Sequence, residues 1–272
     1  MKLRHLLLAL SILASVSCHK GSTPSPNPPP KTNVVRLKDI NWPHLPSPFY
    51  HFEYNDAGYI TNASFSSDLG TYALVYADKK LLRMETTRPN RDSLKYTYLD
   101  GDVVAINIVD NHGFNYRRAT LSYTSSHQLQ RLDWEIKVAD ADFTPEQTLK
   151  LSYFTDGNLK ELVTHYYTVG PQTEAEFTDS FDDYDDKVNV DAFSLLHPDQ
   201  FHHLFLLPGV KIQLNNPHRN VRTGDGVNYK VNYNYNYDAA GRPLSRIGDL
   251  VWTAGKDSGQ HFQVQTTFSY YD

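Results

Sequence analysis

The chain has 272 residues, with 26 Lys plus Arg against 31 Asp plus Glu, a formal charge of -5. That acidic balance offers no uniform basic surface to phosphates, which excludes nucleic acid as a partner. After residue 17, no apolar run approaches the roughly 20 residues that a helix needs to span a bilayer.

Residues 1–17 read as a signal peptide. Lys2 and Arg4 form a positive n-region, Leu6 to Ala14 an apolar h-region too short to span, and Ser15-Val-Ser17 a small-residue cleavage site. Cys18, the one cysteine, comes next, an arrangement that resembles the bacterial lipobox, although Ser15 stands where that motif usually has Leu. The resemblance implies acylation of Cys18 and a membrane as partner through the lipid anchor, with palmitate-type chains contributing about 0.8 kcal/mol per buried methylene. Residues 18–33 follow as a Pro-rich tether. Extended at about 3.1 Å per residue, they hold the following domain on the order of 30 Å from a membrane surface.

From residue 34 to 272 a repeat takes over, read as one domain. Tyr54 is followed by Ile60, Tyr76 by Leu82, Tyr98 by Val104, Tyr123 by Leu129, Tyr153 by Leu159, Tyr184 by Val190 and Tyr237 by Leu244, with turn formers such as Asn-Asp-Ala-Gly58 between most of these anchors. Apolar residues two before the first anchor (Phe52, Leu74, Tyr96, Leu121, Leu151, Tyr235) give a period of two. In Tyr233-Asn-Tyr-Asn-Tyr237 the tyrosines share one face and the asparagines the other. The predicted fold is all-β: a meander of antiparallel hairpins in a long twisted sheet, curled into a half-barrel or a closed barrel.

The longest interruption, from about Asp191 to Asn220, contains Phe193-Ser-Leu-Leu-His-Pro-Asp-Gln-Phe-His-His-Leu-Phe-Leu-Leu207. Pro198 before it and Pro208-Gly209 after it predict a short helix over Gln200 to Leu207, plugging or capping one end of the curled sheet.

The stretch Tyr237-Asp-Ala-Ala-Gly-Arg-Pro-Leu244 is similar to the YD repeat of the RHS family, and Phe154-Thr-Asp-Gly-Asn-Leu159 is a weaker copy. Over the whole chain the lipobox, Pro-rich tether and Tyr-turn-Leu hairpins resemble uncharacterised Bacteroidetes lipoproteins with YD-like β-repeats. That resemblance implies an all-β fold in the cell envelope, as an outer-membrane lipoprotein facing the periplasm or the cell surface, with no assigned activity and no catalytic residue to carry over.

No nucleophile elbow, phosphate-binding loop or H-E-x-x-H occurs, and no cofactor is implied. His197, Asp199, His202 and His203 are candidate transition-metal ligands, with a polar face on a short capping helix as the plainer reading. The acidic run Asp179 to Asp186 lacks calcium-loop spacing and reads as a solvated turn. The recurrent tyrosines read as a requirement of the fold. Trp42, Trp134 and Trp252 lie outside the repeat anchors, and Trp134 and Trp252 are the candidate ligand surface for a glycan, peptide or envelope protein. The expected function is that of a non-enzymatic, lipid-anchored binding or scaffold module. Two alternatives are a carrier of an apolar ligand, with an apolar pocket beneath 193–207, and an envelope hydrolase built from scattered Asp or His residues.

Overall fold

Among the described residues, alternating apolar and polar residues resolve into sixteen strands: β1 (Leu37–Asn41), β2 (Tyr50–Tyr54), β3 (Ile60–Phe65), β4 (Gly70–Ala77), β5 (Lys80–Thr86), β6 (Ser93–Leu99), β7 (Asp102–Val109), β8 (Asn115–Tyr123), β9 (Leu129–Ile136), β10 (Thr144–Tyr153), β11 (Leu159–Tyr166), β12 (Ala175–Val188), β13 (Asn215–Gly224), β14 (Tyr229–Tyr237), β15 (Pro243–Trp252) and β16 (His261–Tyr270). The structure, a computed structural model, describes residues 35–87, 92–138, 141–197 and 203–272. Within the unit Val35–Asp272 every strand lies beside its sequence neighbours. The sheet closes, because β1 pairs antiparallel with β16 and sets Ile40 opposite Phe268. Closure leaves no edge strand to be protected.

The two faces of the wall divide by chemistry. Most inward positions are apolar or aromatic, with Ile40, Met84, Leu94, Ile106, Ile108, Leu129 and Leu132 all fully buried, while Gln147, Thr164, Asp179 and Arg222 form a polar patch on the β10–β13 side. Outward positions carry ion pairs, Arg131 with Asp133, Arg118 with Glu135 and Arg83 with Glu85, alongside exposed apolar residues such as Leu82, Leu244 and Phe262. Asn232, Asn234 and Asn236 stand exposed on β14, opposite the tyrosine face. Burial of the apolar interior drives closure.

The tyrosine repeat has a structural cause. At six hairpins the register slips just before the tyrosine, so that Tyr54 faces Ile60, Tyr76 faces Leu81, Tyr98 faces Val103, Tyr123 faces Leu129, Tyr153 faces Leu159 and Tyr237 faces Pro243. Each slip is a bulge that tips the phenol along the barrel rim. Tyr98 donates to the carbonyl of Leu81, Tyr123 to Val103, Tyr153 to Leu129, Tyr184 to Leu159 and Tyr270 to Pro243, at 2.5 to 3.0 Å. Each tyrosine thereby ties its strand to the preceding one. The bulges also move three second anchors: Leu81, Val103 and Pro243 are buried where the spacing pointed to Leu82, Val104 and Leu244. Leu82 and Leu244 are 44% exposed. Two-residue turns with positive φ at Asp78-Lys79 and Asp100-Gly101 shorten two of the hairpins by one residue.

Sixteen strands enclose a lumen too wide for wall side chains alone to fill. The segment between β12 and β13 fills it. A single 3-10 turn, Ala192–Leu196, descends from the tyrosine rim. Phe193 packs on Phe52, and His197 reaches Tyr50 near the opposite end, here termed the far mouth. The chain returns through Leu204, Phe205, Leu206 and Leu207, all buried, and regains the rim where Lys211 bridges to Gln128. On the way Phe205 sets its ring edge-on to Trp134 at 5.3 Å. The helix expected over Gln200 to Leu207 is corrected over its described part: residues 203–207 are not helical, while residues 200–202 lie outside the described residues. An extended chain reaches apolar partners on all sides of the lumen, whereas one helical stripe would serve one wall.

Candidate functional site

Pro145 near the start of β10 has no N–H to give the ladder, and the register with β9 slips between Pro145 and Gln147. The slip lets two consecutive residues leave the outer surface. Glu146 is 5% exposed and Gln147 2%. Glu146 Oε1 accepts from Arg117 at 2.8 Å, but Glu146 Oε2 and Gln147 Oε1 have no hydrogen-bond partner among the described residues. Burial raises the Glu146 carboxyl above its ordinary range, and Arg117 draws it part of the way back.

Both residues border hollow space at the far mouth, although the two unpartnered oxygens are themselves buried. An inner cavity of about 410 Å³ lies between the β10–β13 wall and the plug, lined by Gln147, Thr164, Asp179 and Arg222 with Ser194 and His197 opposite. An outer cavity of about 670 Å³ opens among the loops 167–174 and 225–228 and includes Glu146 and Gln172. Tyr166, Phe177 and Arg222 belong to both. Volumes of this order suit a small ligand.

Arg222 is held by an ion pair and two aromatic rings. Its Nε and Nη2 donate to the two oxygens of Asp179 at 2.9 and 2.6 Å, and its guanidinium lies 4.2 Å from the Phe177 ring centroid and 5.2 Å from that of Tyr229. Burial works against its charge, yet the Asp179 carboxylate more than compensates and leaves the guanidinium more firmly protonated than usual. Tyr229 adds a hydroxyl to Asp179 at 3.3 Å. A second pair, Arg246 with Asp191 at 3.1 Å, fastens the base of the plug to β15. These fixed ion pairs give the interior a preset polarity suited to orienting a ligand.

A third hollow, about 320 Å³, lies against the plug itself and is lined by Val190, Phe193, Leu196, Phe205, Leu207 and Ile212 among others. All of its lining comes from residues 188–214, so it lies between the arms of the segment and not beneath 193–207, where an apolar pocket was expected.

The residues singled out from sequence are dispersed. Trp134 is 1% exposed in the core against Phe205, so it presents no ligand surface, and that expectation is corrected by its burial. Trp252, six strands away around the barrel, packs on Phe262 at 5.0 Å. Trp42 packs edge-on to Phe49. His197 contacts Tyr50 at 2.5 Å, and His203 sits between Tyr72 and Tyr116 at 3.0 and 2.8 Å. Asp199 and His202 lie outside the described residues, as do Cys18 and the tether. Among the described residues no group of three His, Cys, Asp or Glu is placed to hold a metal ion. The acidic run is part of β12 rather than a turn, with Asp179 turned in to Arg222 and Asp182 paired with Arg219 at 3.1 Å. Glu146 and Gln147 were missed. The available signal was Pro145 among strand-forming residues, a mark of a bulge.

No family model matches the chain, and no curated protein matches it. Among solved structures the chain is similar to a porin-like protein from Bacteroides uniformis, with a TM-score of 0.58, 15% identity and coverage of 82% of this chain and 89% of that one. It is also similar to a porin-like protein from Bacteroides vulgatus, with a TM-score of 0.56, 13% identity and coverage of 87% and 99%. At such identities the likeness is one of fold: a closed antiparallel barrel.

Proposed function

We propose that the protein is a non-enzymatic binding module of the cell envelope, anchored through acyl chains on Cys18 and taking a small ligand at the far mouth of a filled, water-facing barrel. The observation that carries this reading is the pair of adjoining cavities, one inside the wall and one at its mouth, sharing Arg222 and two aromatic rings. The porin-like neighbours support an envelope location. The polar coat argues against a membrane-spanning role for this barrel. A bilayer-facing wall needs an apolar band, and each Arg or Lys at the midplane costs about 2 to 4 kcal/mol. Arg83, Arg118 and Arg131 all stand on the outer face with their acidic partners.

A second reading, a carrier of an apolar molecule, is favoured by the hollow lined by Phe193, Phe205 and Ile212.

Native mass spectrometry of the protein recovered from envelope extracts tests the binding reading. The expected result is a reproducible added mass, lost on denaturation, in addition to the acyl mass that Cys18→Ser removes. An unliganded native mass contradicts it. Retention of the Cys18→Ser variant in the membrane fraction contradicts the anchor.

A further inference from the structure

The hollow between the arms of the plug indicates by its lining what would fill it, an inference that rests on the carrier reading above. Apart from Asn189, Lys211 and Gln213, every residue lining it is apolar. Two of those three are already engaged. The Asn189 amide donates to Gln213 Oε1 at 3.2 Å and its oxygen accepts from the Asp191 N–H at 3.0 Å, while Gln213 Nε2 donates to the Tyr184 hydroxyl at 2.8 Å. They ask nothing of a ligand, and an apolar hollow of this kind stays dry until an apolar guest enters.

Lys211 differs from both. It is exposed, and the nearby charges in sequence are committed elsewhere, Lys187 to Asp186 at 2.6 Å and Asp191 to Arg246 at 3.1 Å. Lys211 itself has no ion pair among the described residues. It stands at the rim with Val188, which is 59% exposed, whereas Leu196 and Phe205 at 2% and 1% close the inner end. A cation at the open end above apolar walls is complementary to an amphiphile with one anionic head. A neutral apolar molecule would leave the ammonium unused, and a cationic one would be repelled by it. The volume, about 320 Å³, lies at the low end of ligand sites, roughly 300 to 1,000 Å³, and suits one medium-length acyl chain rather than a diacyl lipid. We propose that the hollow binds a single-chain carboxylic acid, with its hydrocarbon against Leu196 and Phe205 and its carboxylate beside Lys211.

The test is ligand-observed NMR on the full chain in a Cys18→Ser background, so that no detergent competes, with three probes of one chain length: decanoate, decan-1-ol and decyltrimethylammonium. Decanoate should bind most tightly and decyltrimethylammonium least. Lys211→Glu turns attraction into repulsion at an exposed position; it should weaken decanoate about tenfold, leave decanol within about twofold and leave the melting temperature unchanged. Lys211→Arg keeps the charge and should retain decanoate binding. Decanol bound as tightly as decanoate, or decanoate binding undiminished in Lys211→Glu, overturns the carboxylic acid and leaves the carrier reading in place. Binding of none of the three probes to protein with the circular dichroism of a folded barrel overturns the inference and the carrier reading together.

Discussion

Raising the pH above 10 unfolds the barrel cooperatively. The rim tyrosines Tyr54, Tyr76, Tyr98, Tyr123, Tyr153, Tyr184, Tyr237 and Tyr270 all have phenols pushed above the ordinary value of 10.0, in each case chiefly by burial. Tyr54 and Tyr76 are pushed up to about 12. The folded state therefore binds more protons than the unfolded chain in this window, and stability is fully present below 10 and falls as pH rises. Each phenol that ionises only on unfolding withdraws about 1.4 kcal/mol per pH unit. With half of that discounted for partial exposure, eight tyrosines still remove about 5 to 6 kcal/mol per unit, against a total stability of about 5 to 15 kcal/mol. Tyrosinate absorbance and circular dichroism followed together during alkaline titration should change in one step. Tyrosines titrating individually near 10 with the fold intact would show that the rim phenols are not held as described.

Loss of one plug side chain should weaken the whole barrel. Phe205 and Trp134 are each 1% exposed and meet edge-on, yet Phe205 belongs to no strand ladder. Phe205→Ala should cost about 3 to 5 kcal/mol in denaturant unfolding, through lost burial and the cavity left behind. Leu99→Ala, at a position 62% exposed, should change stability by less than about 0.5 kcal/mol. A Phe205→Ala cost no larger than that of Leu99→Ala would mean that the segment is not seated in the lumen.

The strands and hairpins were legible in the chain because the tyrosine and its turn recur with a side-chain period of two. The slips at Leu82, Val104 and Leu244 were not legible. A bulge adds a residue to one strand without altering composition, and only pairing reveals which neighbour turns inward. Tyr270 escaped the pattern because its partner is far away in sequence: across the closure it faces Leu37. The plug was read as a helix from its flanking prolines and run of apolar residues. Its conformation is set by the width of the lumen, a property of the closed sheet and not of the segment. Glu146 and Gln147 looked like ordinary polar residues, since burial of a Glu beside a Gln depends on Arg117 arriving from β8.

On the proposed reading, this barrel is a filled container facing water and not a channel through a bilayer. The most direct measurement is recording across a planar lipid bilayer, using residues 35–272 prepared without detergent. A monodisperse protein that produces no conductance steps at any applied voltage is the predicted result. Stable stepwise conductance, or a requirement for detergent to stay in solution, would contradict it.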